Sequence, residues 1–146
     1  HGQIRRQRQM CIRDRRLAVE AGLLRDPYEQ IGSLQSELFR AARLVVDTGL
    51  HSKKWTREEA IIYMMDNAGE VRSESESEIE RYIVWPGQAT SYMIGRIKIM
   101  ELRERAKAEL GNRFNIKDFH SVVLMNGILP LTVLEALVDQ YIKENS

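Results

Sequence analysis

One cysteine in 146 residues leaves no disulfide to form within the chain, so the fold must be held by packing. Histidine is nearly as scarce: His1, His51 and His120 lie far apart in sequence, with no two on one helical turn. A zinc site needs typically three protein ligands at about 2 Å, so no autonomous metal site is expected. Alternating polar and apolar residues over any useful length are missing, which excludes a sheet, and there is no internal repeat. No apolar run approaches the ~20 residues of a membrane span, and the N-terminus lacks the apolar stretch of a signal peptide. The compartment is left open. A net charge of +1 gives no global attraction to nucleic acid or to a membrane surface.

What remains is a chain 43% hydrophobic and 29% charged, of one-domain size, able to bury roughly 70% of its unfolded surface. The periodicity predicts an all-α array of about six to seven helices with short turns. Asp26 as N-cap and Pro27 at the first helical position open a long helix. Ile31, Leu34, Leu38, Ala41 and Val45 recur at helical spacing as its core stripe, widened by Phe39, Ala42 and Val46. This helix also carries charges. Burying Arg43 or Asp47 costs several kcal/mol unless each is paired, and their i, i+4 spacing lets them pair with each other. The helix is expected to end at Thr48-Gly49, with glycine in the left-handed position and His51 just past the last turn.

A capping box at Thr56 and Glu59 starts the next helix, with Trp55 stapled onto Ala60. Ser73 to Glu78 carries overlapping capping boxes that place another helix start there. Pro86-Gly87 stops that helix and leaves free N–H groups at the start of the one that follows, an anion-friendly position. Gln88 and Tyr92 share a face there. Glu101 is spaced to support Arg105. Asn115 caps a short helix that stops at Asn126-Gly127, and Pro130 opens the last one, docked through Leu131, Leu134, Leu137 or Val138, and Tyr141. Six of the 22 Lys and Arg fall between Arg5 and Arg16, a basic arm without periodicity.

Four stretches resemble one family. They are Arg43-Leu44-Val45-Val46-Asp47-Thr48-Gly49-Leu50-His51; Trp55-Thr56-Arg57-Glu58-Glu59-Ala60-Ile61; Glu78 to Tyr92 with its Trp85-Pro86-Gly87-Gln88 centre; and Gly127-Ile128-Leu129-Pro130-Leu131 followed by Leu134-Glu135. In this order they are similar to domain-of-unknown-function family 885, bacterial proteins that resemble helical zinc metallopeptidases. The resemblance runs from near Leu17 to the C-terminus. Leu17 to Leu24 resembles the segment after a Glu-Gly-Trp motif, and neither that motif nor the preceding His-Glu and Pro-Gly-His stretch is present. The resemblance thus implies the C-terminal helical part of a zinc-dependent peptidase or hydrolase, inactive alone. It implies no cofactor in this segment, zinc in the full-length parent, and two partners: the missing N-terminal half and a peptide-like substrate. It implies catalytic roles for Tyr92, as the best match to an oxyanion donor, and for His51. Arg43 and Gln88, beside Asp47, are the substrate-binding candidates. An apolar, partly open surface is expected where the missing helices packed.

Gln9-Met10-Cys11-Ile12-Arg13-Asp14-Arg15 resembles the translation of a transposon mosaic end used in preparing sequencing libraries. On that reading residues 1–16 are an artefactual arm, Cys11 is no functional thiol, and the helical domain is 17–146. Two other classes stay open. One is a metal-free interaction module binding protein, or nucleic acid through the arm; deleting His1 to Arg16 would abolish such nucleic-acid binding. The other is a purely structural helical domain, in which Arg43, Asp47, His51, Gln88 and Tyr92 would lie scattered.

Overall fold

The structure is a computed structural model that describes Gly22 and residues 26–146; the basic arm and the adapter-like stretch lie outside the described residues. Six α-helices follow in order: α1 Pro27–Ser52, α2 Arg57–Ala68, α3 Arg72–Val84, α4 Ser91–Leu110, α5 Ile116–Met125 and α6 Leu131–Asn145, with a 3-10 turn at Gly111–Arg113. No strand occurs among the described residues, so the fold is all-α. No helix among them is long and apolar enough to cross a membrane.

Contacts divide the chain into two compact units, residues up to Ile94 and Gly95–Ser146. The boundary falls inside α4, whose first turn belongs to the first unit. In the first unit Ala42 and Val46 of α1 pack with Ala60, Ile61 and Met64 of α2 and Ile79 and Tyr82 of α3. In the second, Leu102, Ala106 and Leu110 of α4 pack with Phe119 and Val123 of α5 and Leu134 and Val138 of α6. Lys98 and Arg105 both reach Glu135 across that unit, at 2.9 and 3.2 Å, and Arg105 also meets Asp139. Glu101 pairs with Lys98 at 3.1 Å, not with Arg105, because the arginine is drawn to two acids on α6.

The caps form where local chemistry demands them. The Asp26 side chain accepts from the Tyr28 N–H at 2.9 Å, and that of Asn115 from the Lys117 N–H at 2.9 Å. Both arms of the Thr56–Glu59 capping box are present. Three expectations fail. The helix α1 does not end at Thr48-Gly49 but runs through Gly49 to Ser52, because the glycine answers a need for space: the Trp55 ring lies against it. The overlapping boxes at Ser73 to Glu78 do not form; α3 starts two residues before the Ser73 cap would place it, capped by Val71 without a side-chain bond, as Arg72 pairs with Glu58 and Glu76. The face that α1 buries holds Ala42, Arg43, Val46, Asp47 and Gly49, whereas Ile31, Leu34, Leu38 and Val45 of the expected core stripe are exposed.

Candidate functional site

Arg43 lies at the centre of the polar residues of the first unit. It is 7% exposed, yet none of the described carboxylates forms an ion pair with it, and its Nε is buried without a hydrogen-bond partner. Phe39, one turn earlier on α1, Tyr82 of α3 and Tyr92 of α4 surround the guanidinium. Its Cζ lies 5.5, 5.4 and 4.6 Å from their ring centroids. Each such contact is worth about 0.5–2 kcal/mol, which offsets part of the several kcal/mol that a buried cation costs.

The charge of Asp47 goes elsewhere. It is 3% exposed, and both its carboxylate oxygens accept from the Gly87 N–H at 3.1 Å. The expected pair with Arg43 does not form. Gly87 sits at φ +77 in the turn between α3 and α4, a conformation glycine adopts without strain. The free N–H expected at Pro86-Gly87 to suit an anion is therefore filled, and Asp47 is the anion that fills it.

The same turn delivers Gln88. Thr90 and Ser91 hydroxyls donate to the carbonyls of Gly87 and Gln88, both at 2.8 Å, and fix the turn. The Gln88 Oε1 then accepts from Arg43 at 3.3 Å and from Arg81 at 3.1 Å, while its Nε2 donates to the Tyr92 hydroxyl at 3.4 Å. Two guanidinium groups thus share one neutral amide oxygen. Arg81 also pairs with Glu78, which accepts from the Tyr82 hydroxyl as well. Burial first, then that bond to Glu78, pushes the Tyr82 hydroxyl far above the ordinary tyrosine range, so it stays a donor.

Four of the five residues chosen from the sequence, Arg43, Asp47, Gln88 and Tyr92, are therefore brought together around one turn. His51 stands apart, exposed on the last turn of α1, its Nε2 3.0 Å from the Tyr82 carbonyl oxygen. A carbonyl oxygen only accepts, so Nε2 carries the proton in that contact. Sequence reasoning missed Phe39, Tyr82, Arg81 and Glu78. The i, i+4 spacing of Phe39 with Arg43, and of Glu78 with Tyr82, was the available signal. No group of three His, Cys, Asp or Glu that could hold a metal occurs among the described residues, so they do not by themselves fit a zinc ion. A groove of about 370 Å³ lies along α2, lined by Trp55, Glu59, Ile62, Tyr63, Asp66 and Asn67, and none of the chosen residues lines it.

The profile of a family described as "Bacterial protein of unknown function (DUF885)" matches residues 15–138. A crystal structure of a protein described as a "putative lipoprotein" from Colwellia psychrerythraea is similar at 50% identity with a TM-score of 0.88, covering 91% of this chain and 23% of that one. The chain thus spans less than a quarter of that relative's length. No curated protein matches.

Proposed function

Because the chain belongs to the DUF885 family, we propose that it is the C-terminal helical part of a zinc-dependent peptidase or related hydrolase, contributing substrate-contacting side chains and an oxyanion donor. The observation that supports this reading is a buried arginine that pairs with none of the described acids, inside a cluster that also holds a tyrosine hydroxyl and an amide. Zinc and its ligands belong, on this reading, to the part of a family-length polypeptide outside this segment, where the metal would polarise the scissile carbonyl. Arg43 and Arg81 favour a carboxylate, which accepts two guanidinium groups better than the amide oxygen now between them. Tyr92 donates to the carbonyl oxygen of the substrate as it gains charge, and Gln88 orients that hydroxyl. Asp47 holds the Gly87 turn, and so sets where Gln88 stands. His51, the second catalytic candidate, stands outside that group at the end of α1, where its bond to the Tyr82 carbonyl ties it to α3.

Peptide-library hydrolysis by the full-length Colwellia relative, read by mass spectrometry with and without a chelator, tests the proposal. Cleavage that the chelator abolishes is expected. Tyr→Phe at the position aligned with Tyr92 should then lower kcat about 100-fold with little change in KM. Chelator-insensitive cleavage, or a Tyr→Phe variant of full activity, overturns it. The 146-residue chain itself is expected to hydrolyse nothing.

A further inference from the structure

The first helix has two apolar stripes, and only one is packed among the described residues. Ala42, Val46 and their neighbours fill the core of the first unit. Ile31, Leu34, Leu38, Ala41 and Val45 form the other, at intervals of 3, 4, 3 and 4 residues, the spacing of a helix–helix seam. Ile31 is 60% exposed, Leu34 66%, Leu38 49% and Val45 37%. Single exposed apolar residues are ordinary, but a row on one line of a helix for about 21 Å is the surface of an interaction.

We infer that this row is the docking seam for an amphipathic helix from the remainder of a family-length polypeptide. The occupant is argued from length: the solved relative matches 91% of this chain with 23% of its own, so most of that protein lies outside the matched quarter. A second copy of this chain is the competing occupant. Arg43 and Asp47 lie among the residues α1 buries, well round the helix from this exposed row, so the seam and the polar cluster are separate surfaces. The inference does not rest on the zinc-hydrolase reading and survives its failure.

The test is cysteine protection. Leu34→Cys in this chain, and a cysteine at the aligned position of the full-length Colwellia protein, are treated with a maleimide, and peptide mass spectrometry reads the label at that position alone. The expected result is rapid labelling in this chain and labelling at least ~10-fold slower in the full-length relative. Equal rates overturn the inference. So does protection in the isolated chain, whether it disappears on dilution, which assigns the seam to a second copy, or persists. A paired variant guards against misfolding of either cysteine form. Leu34→Lys with Leu38→Lys should leave the melting temperature of this chain unchanged and lower that of the full-length relative when made at the aligned positions. Unchanged melting in both overturns the inference as well.

Discussion

Gly49→Ala sets two rules against each other. Within a helix, alanine is favoured over glycine by about 1 kcal/mol, so propensity alone predicts a more stable protein. Geometry predicts the reverse. A β-carbon at Gly49 would stand 2.5 Å from both Cδ2 and Cε3 of Trp55 and 3.1 Å from Cε2. The indole is rigid, the Trp55 backbone N–H ties its residue to the Gly49 carbonyl at 3.0 Å, and its ring lies 5.3 Å from that of Tyr63. Overpacking of this kind costs about 1–3 kcal/mol, here toward the upper end because two ring atoms overlap the new carbon. The net is a loss of about 1–2 kcal/mol. Urea unfolding of the 146-residue chain measures it. In a Trp55→Ala background the clash is gone and the same substitution should stabilise by about 1 kcal/mol, a coupling of about 2–3 kcal/mol between the two sites. If Gly49→Ala stabilises the chain equally with and without Trp55, the steric reasoning is wrong.

Thr56→Ala should cost about 1 kcal/mol by opening the capping box of α2, seen as a lower urea midpoint. The Thr56 backbone N–H, with its hydroxyl, holds the Glu59 carboxyl below the ordinary range. That contribution is present at neutral pH and lost as pH falls through the lowered Glu59 value, so the melting difference between wild type and Glu59→Gln should close in acid. Glu70 has the opposite sign: burial, then Glu74 and Glu78, raise its carboxyl above the ordinary range. Glu70→Gln should therefore melt higher than wild type at neutral pH, with the gap closing as pH falls through the raised Glu70 value toward the ordinary one; a lower melting temperature at neutral pH refutes this. Ser75 is wholly buried and its Oγ has no partner, so Ser75→Ala should stabilise by about 1 kcal/mol in urea unfolding, and a destabilised variant would mean that the hydroxyl is satisfied.

What could be read from the sequence was what is settled within one turn of helix. Asp26, Thr56 and Asn115 cap helices because a side-chain oxygen and an N–H two or three residues on are all the motif requires. The stripe at Ile31 to Val45 is an equally local signal, and its period is correct, but periodicity does not say whether a face meets a partner within the chain. Gly49 was misread because glycine serves two purposes, positive φ and close approach, and only the position of Trp55 shows which one applies. At Ser73 to Glu78 the local capping signal lost to Arg72, whose pair with Glu58 on α2 at 2.8 Å is invisible in the sequence of α3 alone. The cluster was partly legible: Arg43, Asp47, Gln88 and Tyr92 could be chosen by type, whereas Arg81 joins through a contact with Gln88 that depends on the fold of the intervening turn.

Arg43 and Asp47 show most sharply what spacing leaves undecided. An i, i+4 pair would have cancelled both charges on one helix face, and a purely structural lock needs nothing more. Instead the carboxylate is consumed by a backbone N–H 40 positions away, at the one residue of the α3–α4 turn whose positive φ aims that N–H at α1. Asp47 needs no counter-ion there, and none of the described acids serves as one for Arg43. Three rings and a shared amide oxygen hold the cation in place but do not neutralise it. Arginine keeps its charge at any depth, so the cluster holds a guanidinium that none of the described acids pairs with directly, fixed in geometry and shielded from water. That is a costly way to stabilise three helices, since an apolar side chain of similar size would pack against the same rings without the desolvation penalty. On the function proposed above, that cost is the cost of holding a charge for an incoming carboxylate.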